Sequence, residues 1–306
     1  MLVSIVRHSE SVNNILAAEI GDKRTAEQRT AFETRRSSDA PLTDRGVAQA
    51  ERAGQRIAAE NGADATLIIA SYFHRALRTA LAVEQATKQL HPDSKVKVLV
   101  DRDFHEGGGM YKTVLKERDV GQDDDDDGGA AAVTDAMLER VGFPGRTVKD
   151  VAEEFPSFTF TPNQSCENGW WHSSAKETAE ETAVRALFLW HRLAQIARTG
   201  EHQSIVVVTH GHLYALMMKV AGERGYFNKD GAAPRNDPLN NTGITRFVVD
   251  PAPEDPTGGA ATSLAAFATN EKRDVAPGSF KLLLENSIDH VAQLGTLAAS
   301  NVVPLK

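Results

Sequence analysis

The chain has 306 residues, 41% hydrophobic and 25% charged, an ordinary balance for a protein that buries a core. Its formal net charge of -8 argues against non-specific nucleic-acid binding, so any anion site must be locally basic within an acidic field. The single cysteine, Cys166, excludes an intramolecular disulfide and a cysteine-rich zinc site, and no apolar run approaches the ~18 residues that span a membrane.

The opening run Leu2 to Val6 reads as a buried strand that stops at Arg7-His8-Ser9-Glu10. It lacks the basic stretch and long apolar core of a signal peptide, and the expected location is the cytoplasm. Residues 15 to 39 are charge-rich, with Arg24, Arg29, Arg35 and Arg36, and read as a helix and loop with a solvated face. Pro41-Leu42-Thr43-Asp44 marks a helix start, with Thr43 as N-cap and Asp44 in the first turn. Ala53, Ile57 and Ala58 follow at helical spacing, and Asn61-Gly62 ends the segment.

A second buried strand, Ala65 to Ala70, leads to Ser71-Tyr72-Phe73-His74-Arg75, and a helix follows from about Ala76 to Leu90. Val96 to Val100 is a third strand, followed by a loop that carries His105 and Glu106 into three glycines. Order from Met110 to Trp171 is less legible. Asp123 to Asp127 repel one another and read as a solvated loop, because the alternating ligands of a calcium loop are missing. Cys166, with no element start beside it, reads as a passive thiol.

Residues 177 to 198 form a strongly amphipathic helix. Ser204 to Val208 is the most hydrophobic strand and the best candidate for a central parallel one. It ends in Thr209-His210-Gly211-His212, and a helix from Leu213 to Val220 starts at once. Two late strands, Ile244 to Val249 and Phe280 to Leu284, flank a Pro/Gly/Ala-rich stretch that reads as a long mobile loop. Alternation of strands and helices predicts an α/β fold, a three-layer α/β/α sandwich with a mainly parallel central sheet.

Three strands end in Arg7-His8, His74-Arg75 and Thr209-His210, and a fourth leads to Glu106. In a parallel sheet these groups converge along one edge. Two histidines, two arginines and one carboxylic acid suit phosphoryl transfer through a histidine. One imidazole attacks phosphorus, the guanidinium forks neutralise equatorial oxygens, and the acid protonates the leaving oxygen. No metal and no cofactor is called for.

These motifs resemble those of the histidine phosphatase superfamily, in its phosphoglycerate mutase-like branch. Arg7-His8-Ser9-Glu10-Ser11-Val12-Asn13-Asn14 is similar to the family's opening Arg-His-Gly-Glu-Ser-x-x-Asn. Pro41-Leu42-Thr43-Asp44-Arg45-Gly46-Val47-Ala48-Gln49-Ala50, Ser71 to Ala80, Glu106, Thr209-His210-Gly211 and Asn286 to His290 resemble its later motifs in order. Two positions depart: Ser9 stands where glycine is usual, which asks a β-carbon to fit a tight turn, and Tyr72-Phe73 replace Pro-Leu.

The resemblance implies that His8 is the nucleophile and Glu106 the acid and then the base. Arg7, Arg75, His210 and Asn14, with Ser11 and Gly211, would bind the phosphate. It implies a single domain over residues 1 to 306, with insertions at about 107–171 and 250–279. The expected activity is a metal-independent phosphomonoesterase acting through a phosphohistidine on a small phosphorylated metabolite or a phosphoprotein. Phosphoglycerate mutase-type transfer and a non-catalytic binding or scaffold role on the same fold are the alternatives. No nucleic-acid or membrane partner is expected, and the sequence leaves oligomeric state and physiological substrate open.

Overall fold

A computed structural model describes residues 1–21, 25–61, 66–116, 133–162, 164, 166–227, 238–250, 264, 267 and 279–294. Arg24, Gly62, the Asp123–Asp127 run and nearly all of the Pro/Gly/Ala-rich stretch lie outside the described residues. In chain order the elements are β1 (Leu2–Arg7), α1 (Val12–Ile20), α2 (Ala26–Arg35), α3 (Asp44–Asn61), β2 (Thr66–Ala70), α4 (His74–Leu90) and β3 (Lys97–Val100). There follow β4 (Tyr111–Leu115), β5 (Leu138–Gly142), α5 (Val148–Glu154), β6 (Phe158–Phe160), α6 (Ala179–Thr199), β7 (Ser204–Thr209), α7 (Gly211–Glu223), β8 (Ile244–Val249) and β9 (Phe280–Ser287).

Seven strands form one sheet in the order β6-β3-β2-β7-β1-β8-β9. The first five run parallel, and β8 and β9 add an antiparallel edge. β7 is buried along its whole length between β1 and β2, which explains its unbroken apolar run. Its side chains alternate between two cores. Ile205 and Val207 face the core shared with α6 and α7, while Val206 and Val208 face the one shared with α3 and α4. The result is the expected three-layer α/β/α arrangement.

The register sets the site. Arg7 lies opposite Thr209, and Ala70 opposite Val208, so β1, β2 and β7 end level at their carboxyl ends. Residues 110 to 171, illegible as a pattern, contain the β4–β5 hairpin, α5 and the short β6, which joins the sheet beside β3. Among the described residues no helix is long and apolar enough to cross a membrane.

Candidate active site

Backbone pairing aims the first two site residues. The amide of His8 donates to Thr209 O at 2.9 Å, and Arg7 exchanges bonds with Gly243 O (3.3 Å) and Thr242 N (3.2 Å). Both side chains are buried at 3% exposure. Nδ1 of His8 lies 2.7 Å from the carbonyl of Ser9, an acceptor, so Nδ1 carries the proton. Nε2 is left with its lone pair, and Arg75 Nε donates to it at 3.1 Å. Two separate bonds therefore specify the tautomer that a nucleophilic imidazole needs.

Arg75 comes from the first turn of α4 and not, as the sequence suggests, from the end of a strand; β2 stops at Ala70. Its second bond is to His210 Nδ1, at 3.3 Å. His210 is the N-cap of α7, and its Nε2 lies 2.8 Å from Ser71 Oγ. The His8 and His210 rings are 5.1 Å apart. Gly211 follows, and a β-carbon there would lie 3.3 Å from the Arg7 guanidinium, so the smallest residue lets the cation pass. Arg7 is anchored across the sheet by a 2.7 Å bond from its guanidinium to Leu239 O.

Burial governs the charge states. It lowers the pKa of His8 well below 6.5, with the charges of Arg75 and Arg7 adding to it, and treats His210 the same way, with Arg75 as the next cause. Burial also brings Arg7 down to about 10, and Glu106 opposes that shift. Both imidazoles are thus neutral near pH 7. A histidine depressed in the fold stabilises it fully above the unfolded value of 6.5, and that contribution is lost as pH falls below it. Stability is expected to decline between pH 7 and 5, each buried histidine contributing up to ~1.4 kcal/mol per pH unit. Thermal denaturation across that range in wild type and His210→Gln checks this; an equal decline in both would remove His210 from the account.

Glu106 is half-buried between the cations and α7. Its Oε1 accepts from Gly107 N at 2.9 Å and from Leu213 N, in the first turn of α7, at 3.0 Å. Its charge acts on both Arg7 and Arg75, which places it with them. Ser11 and Asn14 are engaged with each other: Asn14 Oδ1 accepts from Ser11 N (3.0 Å) and Ser11 Oγ (2.9 Å), closing the first turn of α1. Asn241, which sequence reasoning missed, donates through Nδ2 to His8 O at 3.1 Å and to Asn14 Oδ1 at 3.2 Å. Thr242 beside it has φ 56°, a left-handed conformation that costs a β-branched residue roughly 1–2 kcal/mol and is held by its bond to Arg7 O. Among the described residues, no group of three or more His, Cys, Asp or Glu could hold a metal ion.

The Pro41–Gln49 motif clamps the turn that follows His8. Pro41 O accepts from Val12 N, Glu10 O from Thr43 N, and Gln49 Oε1 from Glu10 N. The buried Glu10 carboxylate takes the Thr43 hydroxyl at 2.7 Å and pairs with Arg45. A β-carbon on Gly46 would sit 2.0 Å from Glu10 O, so only glycine permits this approach. Gly46→Ala is expected to cost about 2 kcal/mol or more, read as a lower urea midpoint, with kcat falling alongside.

The β-carbon of Ser9 fits its turn without backbone strain. The non-glycine residues with positive φ among those described are Thr242 and Asn286, so Ser9 has an ordinary backbone. Its amide donates to Thr79 Oγ1 at 3.1 Å, its hydroxyl lies 3.3 Å from the same atom, and Thr79 Oγ1 donates to Arg75 O at 2.8 Å. The extra side chain ties the turn after His8 to the helix that carries Arg75.

Phe73 packs its edge 5.1 Å from His210, and the Arg75 guanidinium lies over its face at 4.2 Å. Tyr72 and Phe73 are both backed by Trp170, which is 1% exposed, so this tryptophan is a packing residue. Of the flanking histidines, His74 pairs with Glu154 and His212 packs on Gly107. His105 is buried between Trp170 and Trp171. Cys166 is buried too, and burial pushes its thiol pKa up, as suits an inert group.

Several solved structures are similar. An ecdysone phosphate phosphatase from Bombix mori shares 12% identity over 85% of this chain and 96% of its own, with a TM-score of 0.47. A mycobacterial glucosyl-3-phosphoglycerate phosphatase shares 16% over 81% and 91%, with a TM-score of 0.41. A phosphoglycerate mutase from Bacillus anthracis shares 14% over 88% and 95%, with a TM-score of 0.44. No curated protein matches the chain. The sequence pattern described as the histidine phosphatase superfamily (branch 1) matches residues 3–142, a segment that holds the Arg7-His8 turn, its Pro41–Gln49 clamp, Arg75 and Glu106. Over that segment the chain is similar to the histidine phosphatase superfamily, branch 1.

Proposed function

We propose that the protein is a metal-independent phosphomonoesterase that works through a phosphohistidine on a small phosphorylated metabolite or a phosphoprotein. The observation that carries this reading is His8 itself, neutral, fixed in one tautomer, with its Nε2 lone pair facing Arg75 and its ring 5.1 Å from that of His210.

In the first step Nε2 of His8 attacks phosphorus in line. The P–O bond breaks, its electron pair leaves with the ester oxygen, and Glu106 delivers a proton to that oxygen. Arg7 and Arg75 hold the non-bridging oxygens, so charge is met by fixed guanidinium donors at no reorganisation cost. His210 presents a lone pair at Nδ1 to Arg75, so it donates to a phosphoryl oxygen only after taking up a proton. A phosphate group beside it favours that uptake, as any near anion does. In the second step the Glu106 carboxylate takes a proton from water as its oxygen attacks phosphorus. The P–N bond breaks and returns the pair to Nε2.

Hydrolysis of p-nitrophenyl phosphate in the presence of EDTA tests the activity. Turnover that persists with chelator and releases inorganic phosphate supports it; no turnover of any phosphate ester would favour a binding protein. Interconversion of 3- and 2-phosphoglycerate, dependent on bisphosphoglycerate and faster than hydrolysis, would replace the phosphatase reading with a mutase.

A further inference from the structure

Arg185, on α6, is completely buried, and its guanidinium bonds to Glu177 and to the backbone of the loop before Glu106 rather than to the cluster around His8. Its guanidinium grips Glu177 through two parallel bonds, Nε to Oε1 at 2.8 Å and Nη2 to Oε2 at 2.7 Å. Nη1 donates to two backbone carbonyls, Asp103 O at 2.7 Å and His105 O at 2.9 Å. Glu177 then reaches the same loop from the other side. Its Oε2 accepts from Gly108 N at 3.2 Å, and its own amide donates to Gly108 O at 3.0 Å. Glu106 lies between the two gripped points.

A buried ion pair is a weak source of stability, because desolvation of both charges offsets their attraction, so an apolar pair would serve packing as well. What an apolar pair cannot supply is three directed side-chain bonds to the backbone on either side of one residue. The Glu177 carboxyl, against the cost of burial, is held well below its usual range by the hydrogen bonds and charge of Arg185, which favours the ionised pair near neutral pH.

We infer that Glu177 and Arg185 are positioning residues for Glu106, fixing the loop so that its carboxyl meets the leaving oxygen. This rests on the reading of Glu106 as the proton donor. The clamp sets where the acid sits and touches nothing at the phosphoryl end, so its loss is felt in proportion to the leaving group's need for a proton. Proton donation matters greatly for phenyl phosphate and little for p-nitrophenyl phosphate, whose leaving group is stable as an anion.

The test compares kcat/KM for these two esters in wild type, Glu106→Gln, Glu177→Gln and Arg185→Lys, all as the full chain. Glu177 lines a cavity of about 760 Å³, so an isosteric amide there is not forced against packed side chains. Arg185→Lys keeps the charge and loses the fork, and serves should Glu177→Gln fail to fold. Glu106→Gln is expected to lose about 100-fold on phenyl phosphate and much less on p-nitrophenyl phosphate. Glu177→Gln and Arg185→Lys are expected to lose roughly 10-fold on phenyl phosphate and under about 3-fold on the nitrophenyl ester, with KM little changed. Equal losses on both esters, or none, in the clamp variants while Glu106→Gln discriminates would overturn the inference. Equal losses in Glu106→Gln itself would remove the reading of Glu106, and the inference with it.

Discussion

His8→Ala is expected to abolish turnover of p-nitrophenyl phosphate, by about 10⁴-fold or more, and to leave a protein that takes up no phosphoryl label. Geometry alone makes two histidines candidates, since His8 Nε2 and His210 Nδ1 both accept from Arg75, at 3.1 and 3.3 Å. Their far sides separate them. Nδ1 of His8 is bound to its neighbour's carbonyl, which acts as a fixed acceptor and favours the positive charge that develops as Nε2 bonds to phosphorus. The far nitrogen of His210 meets only the Ser71 hydroxyl, a weaker partner for a developing cation. His210→Ala should therefore lose roughly 10²–10³-fold and still accumulate acid-labile phosphate on the protein. A labelled His8→Ala protein would exchange the two roles.

Arg75→Lys is expected to lose about 10³-fold in kcat/KM, nearly as much as Arg75→Met, despite keeping its charge. The guanidinium meets both imidazoles from separate nitrogens, Nε and Nη2, a span that an ammonium group on a single nitrogen cannot cover. Arg75 also lies over the Phe73 ring, its Cζ 4.2 Å from the centroid, and this contact helps to hold the fork in place. Steady-state kinetics on both variants decide the matter; a lysine enzyme within tenfold of wild type would show that charge without geometry is sufficient.

Much of this site is legible along the chain because its residues stand in local motifs beside apolar runs. The strand from Leu2, the Thr43 cap and the β7 strand are each a pattern of a few neighbouring residues, and each is found where the pattern puts it. Arg75 is read in the right place and assigned to the wrong element, since Ser71 to Phe73 carry no strong helix-start signal and the turn is short. The role of the Pro41–Gln49 motif is invisible in one dimension, because its function is to touch Glu10 from more than thirty residues away. Asn241 and the Glu177–Arg185 clamp are harder still. Asn241 reaches His8 only because β8 pairs with β1, and nothing within 230 residues of His8 announces it. The Thr178 cap of α6 does mark the place where Glu177 stands, but a cap gives no hint of what the residue before it holds.

The seat of β7 between β1 and β2 has a consequence for how the molecule is made. β1 has two partners, β7 and β8, and both are synthesised about two hundred residues later, with Leu2 waiting for Ser204 and Val6 for Ile244. At ribosomal speed that wait is roughly 10–40 s. Throughout it a strand whose Val3, Ile5 and Val6 are wholly buried in the finished fold has no neighbour on either edge. The strand that carries His8 thus leaves the ribosome well before either of its neighbours. Residues 3–142 carry His8, the Pro41–Gln49 clamp, Arg75 and Glu106, but none of the strands that flank β1.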